Sequence, residues 1–357
     1  MTAPAPDSRS GPPGGSTAPG PAPVTVIIAT FNEEANLPAA LDSVRGWAKE
    51  VYVIDSYSTD RTVEIALARA AEGVRVVQHP FRNLCQQWHW ALDRLPLSTE
   101  WVMELDADER VTPEFREEFL RLTSDPANPN VAYYSRRVLV FMGRRLNSKA
   151  NLLNWDNRIW KHRHGRFEDR RDNMHVLIQG GPAGRTQAMI EHHDHKDFTS
   201  WIEKQNYHSS LEALPLIHGE ASGVAAPRFF GNKAERTRWL RNRFYRIPGR
   251  HLLHFFLLAV VRGAYRDGWI GIHYAVLKTF IYYMIDLKIL EHRLTGREPK
   301  IPRPSFGQPH PQVVHSELQR FMDQRTEFNQ LAPGVSFPWL ERQRAEEAAA
   351  ARAATPD

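Results

Sequence analysis

The first part of the chain predicts an α/β fold around a parallel sheet. Two observations carry that reading. Apolar, β-branched runs alternate with amphipathic stretches, and the runs end in carboxylates and small polar residues. Val24 to Thr30 (VTVIIAT) is apolar almost throughout, as a strand buried on both faces must be. Glu33 to Trp47 follows, with Leu37, Leu41 and Val44 at helical spacing. Glu50 to Ser56 (EVYVIDS) is a second such strand, and Thr59 and Asp60 are cap-type residues that open a helix running to Glu72. Val74 to His79 reads as a third strand, Leu84 to Leu95 as a helix, and Trp101 to Leu105 as a fourth strand.

That fourth strand runs into acid. Glu104, Asp106, Asp108 and Glu109 crowd its end (WVMELDADER). Carboxylates this close are costly to keep ionised unless a cation sits among them. A polar turn that solvates itself is one reading, and a divalent metal holding a phosphate is the other. In open α/β sheets ligands bind beyond the carboxyl ends of the strands. Those ends carry Thr30, Asn32 and Glu33, then Asp55, then Asp106 and Asp108. Neither G-x-G-x-x-G nor G-x-x-x-x-G-K-[ST] occurs, which argues against a standard dinucleotide site and a P-loop. Asp55 suits a base or ribose, and Asp106 and Asp108 suit Mg²⁺ or Mn²⁺ with a diphosphate.

The 357 residues carry one cysteine, Cys85, which excludes an internal disulfide and a multi-cysteine zinc site. Residues 1–23, rich in Pro, Gly, Ser and Ala, predict a disordered leader with no apolar signal core. The formal net charge of +5 is unevenly spread: Pro227 to Arg250 holds eight Lys/Arg against one Glu. Two apolar segments follow, His251 to Val261 and Trp269 to Leu290. The first is too short to span a bilayer and the second is marginal. A basic, aromatic stretch leading into apolar helices points to an anchor on an anionic membrane surface rather than a nucleic-acid groove. Two ordinary core helices are the alternative.

The stretches VTVIIATFNEEANL, VYVIDSYSTDRTVEIA and WVMELDADERVTPEFREEF resemble successive motifs of family 2 glycosyltransferases with the GT-A fold. The bacterial enzymes of lipopolysaccharide-core and exopolysaccharide synthesis are similar. The resemblance is good from Val24 to about Glu118 and looser through NWDNRIWKHRHGRFEDR and HHDHKDFTSWIEKQNYHSSLEA, and YRDGWIGIHYAVLKTFIYYMIDLKILE closes it. It implies an activated UDP- or GDP-sugar donor, inversion at the anomeric carbon, and a lipid-linked or cell-envelope glycan acceptor reached from the cytoplasmic face of the inner membrane. The expected fold is thus a GT-A α/β domain with a C-terminal helical membrane-associating segment. Its parts are a donor half (24–118), an acceptor half (119–226), basic stripe and apolar helices (227–295) and an extension (296–357).

An inverting transfer needs a base for the acceptor hydroxyl. The candidates are Asp156, Glu168, Asp169, Asp172 and His175, with Asp169 and His175 favoured. The resemblance weakens here, because the His-Glu pair that related enzymes often carry is absent: His175 is followed by Val176. A surface turn paired to Arg166, Arg170 and Arg171 is an equally good reading of Glu168 and Asp169. In EHHDH, His192 falls where family members place a histidine, so the resemblance implies a third metal ligand or a diphosphate contact; a separate His-rich zinc site and a polar loop before a helix starting near Asp197 are the alternatives. Arg136 and Arg137, with Arg144 and Arg145, are expected to line the acceptor cleft with Asp156 and to meet its phosphates. A charged, solvated edge strand is the alternative. A non-catalytic protein that binds a nucleotide or nucleic acid through the basic stripe is the competing function.

Overall fold

The computed structural model describes residues 20–151, 155–168, 175–193, 196–219, 249–301, 305–342 and 344–345, with isolated positions between 230 and 247. The expected alternation is present. Strands β1 (Ala22–Thr30), β2 (Ala48–Asp55), β3 (Val74–Gln78) and β4 (Trp101–Glu104) are separated by helices α1 (Leu37–Val44), α2 (Thr62–Leu67) and α3 (Leu84–Arg94). β1 begins at Ala22, inside the expected leader, because Ala22 is fully buried and its N–H donates to Trp47 O at 2.7 Å.

Then come β5 (Glu109–Arg110), α4 (Pro113–Ser124), β6 (Ala132–Phe141), β7 (Arg144–Leu146), β8 (Asp156–Lys161), β9 (Gly165–Phe167), β10 (Val176–Ile178) and β11 (Ala183–His193). The main sheet runs β3-β2-β1-β4-β8-β6-β11-β5, with β7 on β6, and β9 and β10 form a separate ribbon. The β3-β2-β1-β4 half is parallel, whereas β8 is antiparallel to both β4 and β6, so the sheet is mixed rather than parallel throughout. β6 lies between β8 and β11, which rules out the solvated edge strand considered for it.

Each strand of the parallel half feeds two cores, which is why it reads as a continuous apolar run. On one face Val24, Val26, Ile28, Val53 and Met103 pack with Leu37 and Leu41 of α1 and Phe115 and Phe119 of α4. On the other, Ile27, Tyr52, Ile54 and Val102 meet Cys85, Trp88 and Leu92 of α3. α3 starts where Asn83 Oδ1 accepts from Gln86 N at 2.9 Å, and α4 where Thr112 Oγ1 accepts from Phe115 N at 3.2 Å.

Beyond the sheet lie α5 (Phe198–His218), α6 (Arg250–Phe256) and α7 (Gly268–Thr295). A π-helical turn (Leu257–Val261) and a 3₁₀ turn (Ala264–Asp267) join the last two. Lys288 of α7 donates to Asn206 O, Ser209 Oγ and Ser210 Oγ of α5 at 2.7 Å each, and Arg250 pairs with Asp286. Among the described residues no helix is long and apolar enough to cross a membrane.

The last described stretch is no appendage. Helices α8 (Pro311–Val314) and α9 (Glu317–Gln324) return to the β3 edge, where Gln319 Oε1 accepts from Gln78 N at 2.8 Å and Gln319 Nε2 donates to Gln78 O at 3.1 Å. Val313 and Met322 join the two cores.

Candidate active site

The register of four strands gathers the acid. β4 ends at Glu104, and the chain turns through Asp106 and Asp108 into β5. β5 pairs antiparallel with the end of β11, His192 opposite Glu109. This brings His192 Nδ1 to 3.4 Å from Asp108 Oδ1, while Lys204 Nζ of α5 lies 3.4 Å from Asp108 Oδ2.

The cations among the carboxylates are arginines from later strands. Arg158 of β8, buried, reaches Glu104 Oε1 at 3.0 Å, Asp106 Oδ2 at 3.0 Å and Glu109 Oε1 at 2.9 Å. Arg137 of β6 lies 3.0 Å from Glu109 Oε1, 3.6 Å from Asp106 Oδ2 and 2.8 Å from Asp156 Oδ2. Neither reading of the acidic turn foresaw this. Arg158 was not singled out in the sequence, yet an arginine beside Ile159 and Trp160 must meet an acid once that part of the strand is buried.

The charges differ accordingly. Desolvation opposes ionisation of Asp106, but Arg158, Arg137 and His192 outweigh it and hold the carboxyl at about 2. Burial dominates at Glu104 and pushes it up to about 8 against the pull of Arg158, so this member carries a proton at neutral pH. Burial raises Glu109 as well.

Asp106 and Asp108 supply carboxylate oxygens and His192 an imidazole nitrogen, a donor set that suits Mg²⁺ or Mn²⁺. His192 Nδ1 is buried, with Asp108 Oδ1 3.4 Å away. These residues therefore fit the ion in kind. Among the described residues no three His, Cys, Asp or Glu side chains are already gathered as a cage, and Asp106 would share its charge between the ion and Arg158.

Asp55, at the end of β2, is fully buried and accepts hydrogen bonds on both oxygens. Ser58 N (3.0 Å) and Gln78 Nε2 (2.8 Å) donate to Oδ2, and Thr30 Oγ1 (3.3 Å) and Ser58 Oγ donate to Oδ1. A carboxylate offers about four acceptor positions. Its first task is thus to shape the loop after β2, and Thr30 serves it. Asn32 adopts φ +54°, donates its N–H to Ser58 Oγ at 2.8 Å and accepts from Thr59 N on Oδ1 at 2.8 Å. Glu33 reaches Lys196 Nζ at 2.5 Å, which ties this loop to the start of α5. Arg110 donates to Ala107 O and Asn36 O, at 3.0 Å each, and locks the acidic turn to the loop after β1.

The two arginines expected together in the acceptor cleft separate, because neighbours on a strand face opposite sides. Arg137 joins the acids, and it is committed to Asp156 and Glu109 rather than free for a phosphate. Arg136 lies 5.2 Å over the Trp155 ring on the other face, with Arg185 at 5.2 Å from the same ring. Arg145 pairs with Glu191 at 3.1 Å. Asp156 also approaches His175, Nδ1 to Oδ1 at 3.6 Å, and although burial opposes it, His175, Arg137 and Arg158 draw its pKa down. Arg166 does not join a surface turn: it is fully buried on Asp93 at 3.2 Å. Asp169 and Asp172 lie outside the described residues.

Sequence reasoning missed the strap over the Asp55 loop. Phe306 sits 4.9 Å from Phe31 and 6.3 Å from Phe81 between ring centroids, and Gly307 N donates to Tyr57 O at 2.7 Å. A Cβ at Gly307 would stand 2.9 Å from Ser58 O, so glycine is required by the close approach. Gly307 and Pro309 mark an irregular segment in the sequence but say nothing of its partner.

Comparisons with known proteins point to glycosyltransferases. Residues 25–192, just under half the chain, match the family model described as Glycosyl transferase family 2. An uncharacterized glycosyltransferase of Rickettsia prowazekii is 25% identical over 203 residues, covering 54% of this chain and 68% of its own length. One from Rickettsia bellii is 31% identical over 117 residues, covering 33% and 38%. Among solved structures, S. aureus TarS 1-349 is 14% identical with TM-score 0.35 over 77% of this chain and 92% of that one. Mycobacterium tuberculosis glucosyl-3-phosphoglycerate synthase, crystallised with Mn²⁺, UDP and glucosyl-3-phosphoglycerate, is 26% identical with TM-score 0.27, covering 32% and 43%.

Proposed function

We propose, from the match of residues 25–192 to the family 2 glycosyltransferases, that this chain is a metal-dependent, inverting glycosyltransferase. Its donor is a UDP- or GDP-sugar, and its acceptor a lipid-linked or cell-envelope glycan of the lipopolysaccharide-core or exopolysaccharide kind. The observation that supports this reading is the approach of His192 to Asp108 where β5 pairs with β11, two residues on from Asp106 at the strand ends. The non-catalytic alternative loses its ground with the family assignment.

Arg137 and Arg158 keep Asp106 ionised, as a metal-binding carboxylate must be. A bound Mg²⁺ or Mn²⁺ supplies Lewis-acid stabilisation of the diphosphate leaving group. The acceptor hydroxyl loses its proton to a base as its oxygen bonds to the anomeric carbon, and the bond from that carbon to the diphosphate oxygen breaks. Our candidates for that base are His175, which lies 3.6 Å from Asp156, and Asp169.

The exposed apolar side chains of α6 and the turn after it are compatible with peripheral attachment to a membrane, and the proposed nucleotide-sugar donor puts the work on its cytoplasmic face. Leu252 is 70% and Val261 64% exposed. The test is donor hydrolysis with UDP-, GDP- and dTDP-sugars, with and without EDTA. Hydrolysis of one donor that stops with EDTA and returns with Mn²⁺ is expected. Full hydrolysis in EDTA overturns the metal, and no hydrolysis of any donor overturns this donor class.

A further inference from the structure

A cleft of about 550 Å³ opens between the loop after β7 and the turns that join α6 to α7. Lys149, Arg262 and Arg266 line it, and among the described residues none of the three pairs with a carboxylate. Asp267 lines it too, but its carboxylate is already used. Asn147 N (2.8 Å) and Ser148 N (3.0 Å) donate to Oδ1, and Asn151 Nδ2 (2.7 Å) donates to Oδ2. The acid therefore staples the cleft wall and leaves three cations facing one cavity.

The surplus is felt inside the protein. Burial first and Arg262 second push Lys278 down to about 8, and Lys278 donates to Ala150 O at 3.2 Å behind the cleft wall. An anion in the cleft would offset that repulsion.

The rim is apolar. Val260, Val261 and Tyr265 line the cleft and are more than half exposed, and the same surface continues to Leu252, Phe256 and Trp269. Single exposed apolar residues need no explanation, but a ridge of them beside unpaired cations does. A free anion would have no use for the ridge. A nucleic acid would stack on Phe256, Tyr265 and Trp269 but has no use for the exposed aliphatic Leu252, Val260 and Val261 interleaved with them. Cations below and hydrocarbon at the rim fit an amphiphile whose polar end is a phosphate.

We propose that this cleft seats the phosphate of an anionic membrane phospholipid, with the ridge from Leu252 to Trp269 entering the lipid interface. The site rests on the membrane-surface reading above and gives it an address separate from the basic stripe of Pro227 to Arg250. β6 and the β6–β7 hairpin link it to the active site, because β6 carries Arg137 and Phe141 packs 5.0 Å from Tyr274 of α7.

The experiment is sedimentation of the full chain with phosphatidylcholine vesicles that contain or lack phosphatidylglycerol, across a salt series. Wild type should bind the anionic vesicles, and more weakly as salt rises. The combined variant Lys149→Gln, Arg262→Gln, Arg266→Gln should partition on the order of a hundredfold more weakly. Its donor hydrolysis should be unchanged, which reports that it is folded. Wild-type binding that the variant retains in full overturns the cleft and leaves the membrane reading standing. Absence of wild-type binding to anionic vesicles overturns both, while donor hydrolysis still decides the catalytic reading. Binding of inorganic phosphate without binding of vesicles overturns the proposal in favour of a soluble anion.

Discussion

Replacing Arg158 with Met is the sharpest test of the charge network. Arg158 is buried and touches Glu104, Asp106 and Glu109 within 3.0 Å, and Glu109 is fully buried. The variant keeps the volume of the side chain and leaves three carboxyls to Arg137 alone. Removing one partner of a buried ion pair costs about 3–5 kcal/mol. At about 2–4 °C per kcal/mol, the melting temperature should fall on the order of 10 °C at pH 7.5. The pH dependence carries the sign. Glu104 has its folded pKa raised to about 8, so the stability tied to its proton is present below its unfolded value near 4.5 and is lost as pH rises through 8. Asp106, lowered to about 2, is the opposite: its contribution is present above its unfolded value near 3.8 and lost as pH falls through 2. In the variant the carboxyls have less reason to ionise, so its deficit should shrink between pH 8 and pH 5. Thermal unfolding of both proteins across that range reads it out. A loss under 2 °C at pH 7.5, or one that does not depend on pH, refutes the network as described.

Three further outcomes are expected. Asp108→Ala should abolish transfer with the melting curve little changed, and EDTA should do the same to the wild type; activity retained in both would remove the metal. His175→Ala should lower kcat by about 10²–10⁴ with donor affinity retained if it is the base, and an unchanged kcat passes the role to Asp169. Phe306→Ala should weaken donor binding several-fold by calorimetry with kcat nearly unchanged, since it removes ring packing worth about 0.5–1.5 kcal/mol from the Phe31 loop; equal affinity would make the strap purely structural.

The parallel half was legible because its physics is local. Strands buried on both faces must be apolar throughout, and β2, β3 and β4 stand within two residues of where the pattern puts them. The acidic turn was legible for the same reason, as a run of carboxylates contiguous in sequence. Its cations were not. Arg137 and Arg158 come from strands that meet β4 only through the antiparallel insertion of β8, and pairing register leaves no trace in composition. The period of two did separate Arg136 from Arg137 in principle, and reading that pair as one patch ignored it. The strap was the least legible, because Gln78 and Gln319 are 241 residues apart and neither belongs to a recognisable motif.

The network also bears on how the proposed site would accept a diphosphate. Five carboxyl groups face it: Glu104, Asp106, Asp108, Glu109 and Asp156. Glu104 carries a proton, and Arg137, Arg158 and Lys204 lie against the others. The site is thus much less negative than its number of acids suggests. Such a site would neither hold a divalent ion tightly by itself nor strongly repel a nucleoside diphosphate. Ion and donor should then bind with positive coupling, each supplying the charge the other lacks. Removing an arginine makes the site more acidic, so Arg137→Gln should hold Mn²⁺ more tightly when the donor is absent and gain less from the donor. Titrating Mn²⁺ into wild type and variant, with and without UDP, measures that coupling. Identical Mn²⁺ affinities in the two proteins would show that the arginines do not set the charge of the site.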